Sequence, residues 1–303
     1  MSKNGLPRKP LTKRRLKNLI LNVLKNPFNM VVLVSLIILF CLIIIPLLTM
    51  ISSTFTLAQG ELRRVQGHVG DFTLYYWKYI LTGKLASAVL WGPLKNSFIC
   101  GFFTVLVSVP LGSVLAWLMI RTDIPGKKIL GLLVTVPYMI PSWTKALAWL
   151  AMFRNSTSGA NGFLAGLGIP VPDWLAYGPI AIVLCMSMHY YAFSYIMVSG
   201  ALRSINSELE EMGEIQGAGK AMILRKITLP LVLPAILSAV ILTFSKAIGT
   251  FGTINYLGSP VQYYTLSSQL YMNINSRDTQ TGFAMAILMI IIASIAVFVN
   301  QKL

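Results

Sequence analysis

The feature that most constrains this chain is an uninterrupted apolar stretch from Met30 to Ile51, which carries no charged residue over 22 positions. As an α-helix rising 1.5 Å per residue, the stretch would be about 33 Å long, enough to cross a hydrocarbon core of about 30 Å. A signal peptide would have a shorter apolar core and a small-residue cleavage site, whereas this stretch contains Pro46 and leads into Ser52 and Ser53. We therefore predict a retained first transmembrane helix over residues 30–51.

The composition of the whole chain agrees with a membrane protein. Its 303 residues are 55% hydrophobic and only 11% charged, whereas soluble domains carry about a quarter charged residues. Further apolar stretches predict five more spans, at 96–120, 129–152, 178–201, 231–250 and 281–300. The expected fold is an all-α membrane protein with six transmembrane helices.

The net charge of +16 raises the question of a nucleic-acid partner, and the placement of the charges answers it. Residues 1–29 hold eight basic and no acidic side chains, and the connectors 121–128 and 202–230 hold three and four basic side chains. Cytoplasmic loops carry this excess, so we expect a multi-pass membrane protein with both termini cytoplasmic and no nucleic-acid partner. This gives a basic tail at 1–29, an external segment at 52–95 and a five-helix core at 96–303.

Cysteine and histidine give no sign of a metal centre. Cys41, Cys100 and Cys185 all fall inside predicted spans, without metal-ligand spacing. His68 and His189 stand alone and are interpreted as a loop histidine and a helix-interface histidine. The chain also has no GxxxxGK[ST] phosphate loop. We therefore expect no catalytic residue, metal or cofactor in this chain, and we do not expect the chain to be an enzyme.

The acidic residues are concentrated in one connector, which the placement of the basic residues does not explain. Four of the nine acidic residues of the chain lie in one connector, at 204–220. Ser207 and Glu210 have the spacing of a capping box, which predicts a short helix starting at Ser207. Gly217 can adopt the left-handed conformation that ends such a helix. Residues 221–228 then predict a second short helix, which Leu229-Pro230 would stop.

The same connector resembles a known family element. Its spacing resembles that of the EAA loop in permease subunits of binding-protein-dependent ABC importers. Five residues separate Glu211 from Gly217, and nine residues separate Gly217 from Ile227-Thr228-Leu229-Pro230. The two alanines of the family pattern are Met212 and Gly213 here, so we expect a looser first helix. The segment after the fifth span also resembles that of permeases for ferric iron, thiamine, polyamines and phosphonates, at Phe251-Gly252-Thr253 and at residues 264–271.

The resemblance implies a type I (MetI-like) permease fold in a prokaryotic inner (plasma) membrane, with a loop at 203–230 that couples transport to ATP hydrolysis. The implied partners are a cytoplasmic ABC ATPase dimer that binds ATP and Mg, an extracytoplasmic solute-binding protein, and a second permease half that is either a copy or a homologue. The implied solute is ferric iron, a phosphonate or sugar phosphate, thiamine or a polyamine. The implied coupling residues are Glu210, Glu211, Glu214, Gly217, Ala218, Ile227, Leu229 and Pro230.

Two lysines inside predicted spans are the candidates for a translocation path. Lys145 and Lys246 would be costly facing lipid, at about 2.5–3.5 kcal/mol each. Lys246 lies five residues before Phe251, and the resemblance places a gate at Phe251 and Gly252. A lysine there could attract an anion or could extend to the headgroups, and the sequence leaves both open. It also leaves open a secondary transporter or channel without an ATPase, and whether the chain is a half-size subunit or the first half of a longer product.

Overall fold

The computed structural model describes residues 27–59, 65–156, 159, 161–206 and 208–302. Residues 1–26, which make up most of the predicted basic tail, and Ser207 lie outside the described residues. Within them the regular structure is helical, apart from one isolated antiparallel bridge between Thr56 and Phe72. The expected all-α class is therefore confirmed.

The chain divides into two units, residues 1–53 and 54–303. The first unit contains helix α1, Pro27–Ser53, which includes the predicted span 30–51 and keeps Pro46 inside the helix. None of its residues is buried. A helix that is apolar on every side is typical of a segment surrounded by lipid.

The described part of the second unit contains thirteen α-helices, several of them joined by short turns. They are α2 Tyr75–Thr82, α3 Gly92–Arg121, α4 Lys127–Met139, α5 Ser142–Phe153, α6 Phe163–Gly166, α7 Asp173–Ala176, α8 Gly178–Ser204, α9 Glu208–Ile215, α10 Lys220–Ile223, α11 Leu229–Gly249, α12 Gly252–Gly258, α13 Leu266–Asn275 and α14 Thr279–Lys302.

Helices α3 and α8 form the centre of the second unit and share its most extensive helix contact. Small residues let them approach closely, as is usual between membrane helices. A Cβ atom added at Gly112 of α3 would lie 2.8 Å from the Cβ atom of Ser194 on α8. Helix α11 packs against both of them and against α14. The functional side chains described below project from this framework.

Five described segments are long and apolar enough to cross a membrane. The predicted span 129–152 is not among them, because it is divided into α4 and α5, of 13 and 12 residues. The break falls at Ile140, whose backbone is extended (φ −81°, ψ 131°). The ring of Pro141 disfavours the helical conformation at the preceding residue. The predicted third span therefore consists of two helices that meet at this break.

The expected stop at Leu229-Pro230 was wrong. Helical backbone continues from α10 through a π-helical turn, Leu224–Thr228, into α11. The Leu229 N–H donates to the Leu224 carbonyl, five residues earlier. This wider turn offers room for the Pro230 ring, which would crowd the carbonyl four residues before it in a regular α-helix. The segment Lys220–Gly249 is therefore one 30-residue helical rod.

Candidate functional site: the loop between α8 and α11

Helix α9 is a separate short helix with defined ends. At its start the Asn206 side chain accepts the Glu208 N–H (3.2 Å) and donates to the Glu208 carboxylate (2.8 Å). At its end the Gly217 N–H donates to the Glu214 carbonyl (2.9 Å) and the Ala218 N–H to the Gly213 carbonyl (3.0 Å). Gly217 has φ +82°, so these bonds form a Schellman motif with glycine in the left-handed position. The predicted helix end at Gly217 is confirmed.

The outer face of α9 combines apolar and acidic side chains. Leu209, Met212 and Ile215, spaced three residues apart, are 47%, 57% and 85% exposed. Glu211 and Glu214 are exposed beside them. Isoleucine is among the residues most often buried in folded proteins. The outer face therefore has the chemistry of a small docking surface, which we call the α9 face (Leu209, Glu211, Met212, Glu214 and Ile215).

The inner face of α9 packs against the chain that follows it. A Cβ atom at Gly213 would lie 3.1 Å from Ile227 Cδ1 and 3.3 Å from Ile223 Cγ1. The two isoleucines thus occupy the space beside Gly213, where the family pattern has alanine. Ile227 is half-buried, and Leu229 and Pro230 are exposed at the start of α11. Ala218 is half-buried next to the Gly217 turn.

Glu210 lies on the inner side and is bound within the chain. Arg121, the last residue of α3, donates from Nε to its carboxylate at 3.0 Å, and the Thr228 hydroxyl donates to the same carboxylate at 2.6 Å. The Arg121 and Glu210 side chains are only 15% and 18% exposed. Arg121 also donates to the Ile205 carbonyl (3.4 Å). Because its carboxylate has these internal partners, Glu210 does not present it to a partner protein in this conformation.

Arg121 was missed as a site residue because its sequence position indicates only a cytoplasmic connector charge. Its contact with Glu210 joins residues 89 positions apart. No spacing rule links positions so distant, and only the packing of α3 beside the loop brings them together. The two residues connect the loop to the central helix of the second unit.

A second group of side chains surrounds Lys145. Its Nζ atom is in hydrogen-bonding contact with Nδ1 of His189 on α8. The ring of Tyr138 stacks on His189 (5.4 Å between centroids) and on Phe193 (5.6 Å). Lys246 of α11 places its Nζ atom 5.2 Å from the centroid of the Phe193 ring, a cation–π distance. We call these five side chains the basic cluster.

The basic cluster brings together the two lysines that the sequence indicated as path candidates. His189 does lie at a helix interface, as expected, but its partner there is Lys145, 44 residues away. Among the described residues no carboxylate forms an ion pair with either lysine. The cluster is therefore a concentration of positive charge that the described part of the chain does not neutralise.

Phe251 and Gly252 lie just beyond Lys246, at the corner between α11 and α12. Phe251 is half-buried, with its ring 4.6 Å from that of Tyr271. A Cβ atom at Gly252 would lie 2.6 Å from the Cβ atom of Trp143 on α5. Glycine therefore permits the close contact between α12 and α5. The two residues form a packed corner, and their role at the path remains a proposal.

The sequence of this chain is similar to those of known transport permeases. The family described as "Binding-protein-dependent transport system inner membrane component" matches residues 108–303. The sulfate transport system permease protein CysT of Salmonella typhimurium is 25% identical over 220 residues, covering 72% of this chain and 76% of that protein. The molybdenum transport system permease protein ModB of Escherichia coli K12 is 28% identical over 220 residues, covering 70% and 93%.

Solved structures show the same fold. A chain of the bacterial ABC transporter that imports the acidic polysaccharide alginate superposes with a TM-score of 0.72 at 18% identity, covering 94% of this chain and 99% of that chain. A chain of the MetNI methionine ABC transporter gives 0.52 at 22% identity, covering 72% and 93%. The named relatives do not confirm ferric iron, a phosphonate, thiamine or a polyamine as the solute.

Proposed function

This chain belongs to the family of binding-protein-dependent transport system inner membrane components, and we propose how it works within an ABC importer. We propose that it forms half of a translocation path, receives a small solute from a binding protein outside the cell, and is driven by an ATPase that binds the α9 face. The second half of the path is a copy of this chain or a homologue. ATP and Mg are bound by the ATPase subunits.

The observation that carries this proposal is the α9 face. Three large apolar side chains are exposed on a helix of only eight residues. Isolated helices shorter than about 12–15 residues are marginal in water, so α9 owes its structure to packing. Its inner face packs on the loop, and its outer face offers apolar area flanked by Glu211 and Glu214. A partner with an apolar groove and basic rims would complement it.

The contacts of the loop explain how a movement at α9 would reach the path. Helix α9 packs through Gly213 on Ile223 and Ile227, which belong to the rod Lys220–Gly249. Thirty residues of helix extend about 45 Å, and Lys246 lies in the last turn of this rod. The Arg121–Glu210 pair attaches the same loop to α3. A displacement of the loop would therefore be transmitted to both helices.

For the solute we propose a small anion. The relatives named above include a sulfate permease, and the basic cluster of this chain combines Lys145 and Lys246 without a paired carboxylate among the described residues. A polyamine or a ferric ion would meet uncompensated positive charge of the same sign. An oxyanion would supply the missing negative charge.

Docking on the α9 face is tested with a cysteine at Ile215, in a chain whose Cys41, Cys100 and Cys185 are replaced by alanine. We expect Ile215→Cys to react rapidly with a water-soluble maleimide in the isolated permease, because residue 215 is 85% exposed. Assembly with the ATPase should slow this reaction at least tenfold. Lys78→Cys, at an exposed position of α2, is the matched control and should react equally in both samples. Equal labelling of residue 215 with and without the ATPase would reject this docking surface.

A further inference from the structure

We propose that the basic cluster is a transit site for an oxyanion, and that the anion leaves it along the shared face of α4 and α8 toward a second basic site. This inference rests on the proposed function and adds to it the residues that hold the solute. The chemistry recognised is a compact tetrahedral oxyanion such as sulfate or molybdate. The second site is an open cavity of about 850 Å³ whose lining includes Lys127, Lys128 and Arg203.

Two lysines and a histidine from separate helices converge in the basic cluster. Lys145 of α5 donates to Nδ1 of His189 on α8, so this imidazole is neutral, and Lys246 of α11 lies over the Phe193 ring that stacks on Tyr138. The two ammonium groups repel each other, so their convergence without a carboxylate is unfavourable in the empty state. A bound anion removes that repulsion and gains charge-assisted hydrogen bonds.

These groups are open to their surroundings. Lys246 is exposed, and Lys145 and His189 are half-buried. Lys246 and His189 belong to segments that are long and apolar enough to cross a membrane. A lysine facing lipid is costly, and intramembrane lysines usually face a cavity or a neighbouring helix. We therefore place the open side of the cluster on the path between the two permease halves. An anion in the path can therefore reach the lysine nitrogens.

The basic cluster and the cavity are connected along the faces of two helices. Five residues at intervals of three or four lie on one face of α8. His189 and Phe193 belong to the basic cluster. Further along the same face, Ile196, Gly200 and Arg203 line the cavity. The face spans about 21 Å between its two basic ends.

Helix α4 repeats this arrangement beside α8. Tyr138 belongs to the cluster, and Thr135, Gly131 and Lys128 follow on the same face at three- and four-residue intervals and line the cavity. The two helices are close there, because a Cβ atom at Gly131 would lie 3.4 Å from the Tyr195 hydroxyl oxygen. Two adjacent helix faces thus lead from one basic site to the other.

The test measures anion binding by the complete complex of permease and ATPase, purified in a neutral detergent. At constant ionic strength, sodium sulfate and sodium molybdate are each compared with sodium chloride for the shift that they cause in the thermal midpoint. We expect both oxyanions to stabilise the wild-type complex. Lys246→Met and Lys145→Met should weaken the apparent affinity on the order of tenfold. Lys246→Arg should restore it, because the charge is kept.

The control is Lys78→Met, which removes an exposed lysine of α2 and should bind like the wild type. Oxyanion affinities that are equal in Lys246→Met and in the wild type would overturn the proposal. So would a midpoint that responds to added phosphatidylglycerol but not to sulfate or molybdate, because the cluster would then bind a lipid headgroup. A complex that protects residue 215 from maleimide but shows no oxyanion shift rejects this inference alone and leaves the proposed function intact.

Discussion

Replacing Gly217 with valine is expected to reduce ATP-driven uptake by roughly 5–30-fold while the permease still inserts into the membrane. Gly217 holds φ +82° at the end of α9. For a residue with a side chain the left-handed conformation costs roughly 1–2 kcal/mol, which corresponds to a factor of about 5–30 in an equilibrium. A β-branched residue is especially unsuited to it. The Schellman bonds at Glu214 and Gly213 would be lost, and α9 would no longer be held in its docking orientation.

The matched control for this prediction is Gly219→Val, two residues further along the same loop. Gly219 has φ −69° and ψ 156°, an extended conformation that valine adopts without strain. No atom lies within 4 Å of a Cβ atom added at either glycine, so the two substitutions differ mainly in backbone conformation. The measurement is the initial uptake rate in vesicles at equal permease content. If both variants transport equally well, the conformation of Gly217 is not important for coupling.

Removing either Arg121 or Glu210 is expected to reduce uptake at least tenfold. Each single alanine variant leaves a charge in a site where the two side chains are only 15% and 18% exposed. Removing one partner of a buried ion pair costs about 3–5 kcal/mol of stability, because the remaining charge is left without a partner. The loop would then separate from the end of α3, and a movement at α9 would no longer reach that helix.

A double-mutant cycle distinguishes this pair from two independent defects. The variant carrying both Arg121→Ala and Glu210→Ala should transport no worse than the worse single variant, giving an interaction energy of about 1–3 kcal/mol. Asp123→Ala, which removes an exposed charge two residues from Arg121, should have little effect. Additive losses in the double variant would show that Arg121 and Glu210 act separately.

Local sequence signals predicted the long helices α1, α3, α8, α11 and α14 and the end of α9 correctly. Long uncharged stretches identify membrane helices because burying charge in hydrocarbon is unfavourable, and α1 contains the predicted span 30–51 for that reason. Gly217 was identified because glycine tolerates positive φ. Both arguments depend on neighbouring residues alone, which a single sequence displays in full.

Two helix boundaries depend on proline. Pro141 divides the third span into two helices, whereas Pro230 follows a π-helical turn within a continuous helix where we expected a stop. Hydropathy does not register backbone clashes, so it gives the bounds 129–152 without the position of the break. A π turn can relieve such a clash when the surrounding packing supports it, and the sequence around Pro230 contains no signal of that turn.

The residues of the proposed docking site were identified from the sequence only where they are close in the chain. Glu211, Glu214 and Gly217 lie within one loop and were identified together. The partners of Glu210 and Lys145 were not, because Arg121 and His189 are 89 and 44 positions away from them. Helix packing creates these contacts, and a single sequence gives no distance between helices. The position of Glu210 on the inner side of α9 could not be deduced from its charge.

ATP-driven import is tested most directly by the initial rate of solute uptake into vesicles that hold this chain with its second permease half, its ATPase and its binding protein. We expect uptake that requires ATP, is inhibited by vanadate, and disappears when the ATPase subunits are omitted. Uptake that continues at the same rate without any ATPase subunit would show that this chain is not driven by an ATPase and would indicate a secondary transporter or channel.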